Sequence, residues 1–64
     1  MHHTYRQYRY QVIKTSGLHA LIRPPQGSLS LSEIPRATRE EGEAVLEERI
    51  KAVIDADIEK TGRG

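Results

Sequence analysis

From Tyr8 to Lys14 the chain alternates: Tyr8, Tyr10 and Val12 fall on one side of an extended backbone, Arg9, Gln11 and Ile13 on the other. Period-two alternation of aromatic and β-branched residues predicts a strand over 8–14. The run from Leu18 to Arg23 repeats it, with Leu18, Ala20 and Ile22 set against His19, Leu21 and Arg23. Between the runs Thr15-Ser16-Gly17 supplies turn residues, and Gly17 is able to take a positive φ. A β-hairpin follows. If Lys14 pairs with Leu18, Tyr10 meets Ile22 and Val12 meets Ala20 on the inner side. The same register sets Arg9 against Arg23 and Gln11 against Leu21 on the outer side. Like charges directly opposed destabilise a sheet, so either the register slips or something acidic covers that side.

Pro24-Pro25-Gln26-Gly27 ends the second strand, because proline cannot donate to a ladder and glycine permits a turn. Ser28 to Ser32 alternates once more. It reads either as a short third strand with Leu29 and Leu31 inward or as an extended loop. Thr38-Arg39-Glu40-Glu41 is a capping box, in which the threonine caps a helix start and Glu41 reaches back. Leu46, Ile50, Val53, Ile54 and Ile58 then recur at spacings of three and four, and Gly62 reads as the stop. These signals predict a helix over 38–60, about 33 Å long at 1.5 Å per residue. Gly42 falls in its first turn, where it either lets the helix approach the sheet or simply costs helix propensity. The expected fold is α+β and two-layered: an antiparallel β-hairpin, with 28–32 as a third short strand if it forms, packed on one long C-terminal α-helix. Residues 1–7 are expected to be a flexible N-terminus of this single domain.

Composition sharpens that picture. A chain of 64 residues buries a modest fraction of its surface, so its stability is marginal. It has no cysteine to staple it and neither tryptophan nor phenylalanine to fill it, which leaves self-association as the remaining aid. A thin core, a helix longer than its sheet and the outer apolar residues Ile13 and Leu21 point to a homodimer. Net charge is only +1, but it is split. Through Arg39 six basic residues stand against Glu33 alone; from Glu40 onward four stand against eight acids. Such halves either attract each other or give the chain a basic binding face. No apolar run reaches membrane-spanning length, and the start lacks the apolar segment of a secretion signal. A cytoplasmic protein without membrane contact is expected.

Candidate chemistry is sparse. His2 and His3 point apart on an extended chain, and no carboxylate has matching spacing. Asp55, Asp57 and Glu59 read as a solvated helix face, since residues two apart lie about 200° around a helix. Asp57 alone falls near the apolar stripe. The G-x-S-x-G pattern, phosphate-binding glycine loops and H-E-x-x-H do not occur. No enzyme, cofactor or metal is expected. Two surfaces remain as candidates. One is an interaction surface of Arg9, Gln11, Ile13, His19, Leu21 and Arg23. The other is a set of nucleic-acid contacts from Arg6, Arg9, Lys14 and Arg23, for which Tyr5 is the only aromatic free to stack on a base.

The segment from Tyr8 to Ile58 resembles the partial antitoxin-type domain of the HicB family, a small sheet followed by a helix opened by a threonine and two glutamates. Thr38, Glu40 and Glu41 carry that likeness. Gly42 departs from the family's usual alanine, the Pro-Gly-Cys-like element before the helix is missing, and no DNA-binding module follows Gly62. Many small uncharacterised bacterial proteins share the same plan. The resemblance implies a non-enzymatic binding module and transfers no site. The expectation is therefore a self-associating, protein-binding module, with nucleic-acid binding through the basic outer face as the alternative.

Overall fold

The computed structural model describes residues 2–25 and 30–62. It is an α+β fold with one antiparallel sheet and one C-terminal helix: β1 (His2–Tyr5), β2 (Tyr8–Lys14), β3 (Leu18–Arg23), β4 (Arg36–Ala37) and α1 (Gly42–Thr61). The strands lie in sequence order, so every connection joins neighbours. β2 and β3 pair in the register that their pattern dictates: Arg9 with Arg23, Tyr10 with Ile22, Gln11 with Leu21, Val12 with Ala20 and Lys14 with Leu18. The like-charged pair is therefore real, not slipped. In the turn between them Gly17 does not adopt the expected positive φ. A Cβ there would lie 3.4 Å from the Ala37 carbonyl oxygen, about ordinary contact distance, so a side chain would just touch β4.

Within 1–7, expected to be flexible, residues 2–5 form a strand and 6–7 a turn. β1 pairs with β2 through Tyr5–Tyr8, Thr4–Arg9 and His3–Tyr10. Arg6 and Gln7 make the two-residue turn with φ of 51° and 72°, the pair of positive values that matches hairpin twist. Neither is a residue that favours such angles, so long-range contacts must hold the turn. Tyr5 Oη donates to Asp55 Oδ1 (3.2 Å) and Arg6 Nη1 donates to the same oxygen (2.9 Å). The His3 ring stacks on Tyr10, with centroids 5.3 Å apart.

On the far side of β3 the connection runs irregularly until β4. Ser28 and Leu29 lie outside the described residues, and 30–32 form no strand. Leu31 nevertheless points inward as its alternation suggests, packing on the core while its N–H donates to the Ile22 carbonyl (2.7 Å). The strand beside β3 is instead the two-residue β4, with Leu18 opposite Ala37 and His19 opposite Arg36.

The helix covers one face of this sheet. Leu46, Ile50, Ile54 and Ile58, spaced by four, are buried against Tyr8, Tyr10, Leu18, Ala20, Ile22 and Ala37. Val45 and Val53 flank them at the edge of the core. Ala52, between them in the sequence, is exposed. At 20 residues the helix is about 30 Å long, close to the 34 Å long axis of the molecule. None of the described helices is long and apolar enough to cross a membrane.

The helix begins later than its capping box. The box forms: the Glu41 N–H donates to Thr38 Oγ1 (3.1 Å) and the Thr38 N–H to Glu41 Oε1 (2.9 Å). It closes a separate turn, because Gly42, whose N–H donates to the Thr38 carbonyl (3.1 Å), has a φ of 85°. A right-handed helix cannot run through that angle, so α1 starts there. Gly42 does not serve close packing either, since nothing lies within 4 Å of where its Cβ would be. Its role is conformational. At the other end Gly62, with φ of 72°, closes the helix by donating its N–H to the Ile58 carbonyl (2.7 Å).

Exposed ion pairs tie this frame together. Arg49 reaches back to Glu41 through both guanidinium nitrogens (3.0 and 2.8 Å) and also donates to the Arg36 carbonyl (2.7 Å). Lys14 pairs with Glu43 at 2.5 Å. The Arg49 hydrogen bonds, then that from the Thr38 N–H, hold the Glu41 carboxyl below its ordinary range; Lys14 does the same for Glu43. Carboxyls depressed in the folded state contribute stability above their unfolded pKa and lose it as pH falls through the folded value. Thermal melts should therefore keep one midpoint at neutral pH and drop below about pH 4, near the ordinary glutamate pKa. Glu41→Gln should flatten that fall. A wild-type midpoint unmoved between neutral pH and about pH 3 would contradict these pairings.

Candidate interaction face

A sheet with one helix on it has a second face to account for. Residues directly opposed on antiparallel strands project to the same side. That side here holds three rungs across β2 and β3: Arg9–Arg23, Gln11–Leu21 and Ile13–His19. All six residues of the expected interaction surface therefore share one face. Thr4 extends the first rung through β1, and Arg36 extends the third through β4. Ile13, His19 and Leu21 are half-buried, whereas Arg9, Gln11, Arg23 and Arg36 are exposed. None of these eight residues is acidic. A depression of about 310 Å³ lies over the first two rungs, lined by Thr4, Arg9, Gln11, Leu21, Arg23 and Ser30, with Tyr10 reaching it from the core side.

The nucleic-acid set does not assemble. Arg9 and Arg23 belong to the open face, but Arg6 is held by Asp55 and Lys14 by Glu43, both on the helix side. Tyr5 is not free to stack: it is half-buried, its hydroxyl is on Asp55, and Lys51 Nζ sits 5.6 Å from its ring centroid. Tyr8 and Tyr10 are buried under the helix. Burial, reinforced by Glu47, also raises the Tyr10 pKa, as befits a phenol removed from solvent. Tyr5 and Tyr8 thus turn away from the arginine face, while Tyr10 borders the depression but is buried.

The acidic run on the helix also differs from its expected role. Glu59 is exposed as expected, but Asp55 and Asp57 are half-buried and each receives a tyrosine hydroxyl from the sheet: Tyr5 on Asp55 and Tyr8 on Asp57. They fasten the C-terminal half of α1 to the β1–β2 turn. Among the described residues no three histidines or carboxylates come together as a metal site.

Thr4, Ser30 and Arg36 were missed as members of the open face, because each sits on a segment whose pairing the pattern does not announce. Compared with protein-family models, with curated proteins and with solved structures, the chain matches none. Of the three residues on which the HicB resemblance rests, Thr38 and Glu41 close a turn ahead of the helix.

Proposed function

We propose that the chain is a small non-enzymatic interaction module that binds another protein through the open face of its sheet. The observation that carries this reading is the inequality of the two faces. One is sealed by α1; the other leaves Ile13 and Leu21 half-buried with no helix over them, ringed by Arg9, Arg23 and Arg36. An apolar centre with a charged rim is the anatomy of a protein interface.

Self-association remains part of the proposal, within a limit set by charge. A two-fold contact between two open faces is isologous and would bring each arginine cluster against its copy with no carboxylate between them. A second copy would have to present its helix instead, where Glu47, Glu48 and Glu59 are exposed. Sedimentation at tens of micromolar should then reveal growth beyond the monomer that added salt reverses. A strict monomer leaves the face to a different protein.

The wider reading is tested by placing a photo-crosslinking amino acid at Leu21, and as a control at the exposed Ala52, in the cells that make the protein. Protein adducts at position 21 and not at 52 are expected. Adducts to nucleic acid alone, or equal yields at both positions, would overturn it.

A further inference from the structure

Arg9 and Arg23 stand side by side on adjacent strands, an arrangement that costs stability unless an anion lies between them. Other charged side chains of this molecule have found partners: Arg6 with Asp55, Lys14 with Glu43, Arg49 with Glu41. Among the described residues paired on this sheet face, none carries a carboxylate. Around the two guanidiniums stand neutral hydrogen-bonding groups, Thr4, Gln11 and Ser30, and Leu21 supplies apolar surface. The depression they line, about 310 Å³, is at the small end of the range for specific sites.

We propose that this depression is a carboxylate clamp, in which Arg9 and Arg23 hold an aspartate or glutamate side chain of a partner protein. The proposal rests on the interaction-module reading and names the chemistry of its partner. Two planar guanidinium forks suit carboxylate oxygens, which each can accept in bidentate fashion. The partner segment is acidic with apolar neighbours, because Leu21 and then Ile13 continue the surface along the next two rungs. A strand of nucleic acid fits less well. Bases bound without pairing need exposed ring faces to stack on; Tyr5 packs against the core, Tyr8 is buried in it, and Tyr10, which borders the depression, is only 6% exposed. His19 sits at the far rung, opposite Ile13.

The test is fluorescence anisotropy with the full chain and three labelled probes. These are a short peptide alternating glutamate and leucine, its glutamine counterpart, and an oligothymidylate of the same charge. The glutamate peptide should bind about tenfold or more tightly than the glutamine peptide at low salt, and the margin should shrink as salt screens these exposed charges. Arg9→Gln with Arg23→Gln should erase the margin. Because it removes a repulsive rung, this variant should melt no lower than the wild type, which separates lost binding from lost folding. Arg9→Lys with Arg23→Lys, keeping charge but not the forks, should retain only part of the margin. Equal binding of the two peptides, a margin that survives the glutamine variant, or tighter arginine-dependent binding of the oligothymidylate would overturn the clamp. Protein crosslinks at Leu21 without a preference for the acidic peptide would discard the carboxylate occupant and keep the docking face; absence of both would remove the two together.

Discussion

Ile54→Ala should leave this protein largely unfolded near its normal working temperature, with a melting midpoint lowered by tens of degrees if any cooperative transition survives. Ile54 is fully buried at the middle of the helix stripe, facing the sheet side that holds Tyr8, Ala20 and Ile22. Truncating a buried isoleucine to alanine costs about 2–5 kcal/mol, depending on how far the site collapses into the space left. A domain of this size has a total stability of about 3–10 kcal/mol at ordinary per-residue values. Among the described residues the hydrophobic cluster holds ten buried side chains, and no second helix lies on the other sheet face to absorb the loss. Each kcal/mol moves the midpoint of so short a chain by about 4–8 °C. Circular dichroism melts decide it, with Glu48→Ala on the exposed helix side as a comparison expected to change stability by less than about 0.5 kcal/mol. A midpoint shift no larger than that of the comparison would mean that the helix does not seal the sheet through Ile54.

The reach of the sequence follows the chemistry of each segment. In β2 and β3 the inner positions are Tyr, Val, Leu, Ala and Ile up to Lys14, while Arg, Gln and His outnumber Ile13 and Leu21 outside, so a one-residue slip would bury charge and the register is legible. The helix stripe is legible for the same reason, and Asp57 stood out because it borders that stripe. β1 was not. His-His-Thr-Tyr carries no apolar alternation, and Arg6-Gln7 lacks the Asn or Gly that marks a two-residue turn. What holds it is tertiary, a tyrosine and an arginine meeting a carboxylate about fifty positions along the chain. That contact also explains why Tyr5 and Arg6 looked free for a ligand and are not. The six residues of the interaction face were legible because parity groups them; Thr4 and Arg36 join only through strands β1 and β4, one unpatterned and the other two residues long.

Gly42→Ala should destabilise the protein, against what helix propensity alone predicts. Within an ordinary helix the change would gain about 1 kcal/mol, chiefly because alanine has fewer unfolded conformations to lose. Here the residue sits at φ 85°, between the turn closed by Thr38 and Glu41 and the first regular turn of α1. An L-residue in the left-handed region pays roughly 1–2 kcal/mol for its Cβ, while nothing in the surroundings would clash with that carbon. Relaxing to a negative φ would run the helix straight back through residue 41. That would swing the Thr38–Glu41 box, and with it the double hydrogen bond from Arg49 and the path into β4. The cost thus falls on the backbone whichever way the chain yields, and the midpoint should drop by several degrees. Chemical synthesis separates handedness from size: D-alanine at position 42 carries the same methyl group but favours positive φ, so it should raise the midpoint where L-alanine lowers it. If both enantiomers shift stability in the same direction, the helix does not begin at a left-handed residue, and the separate turn ahead of it has no conformational basis.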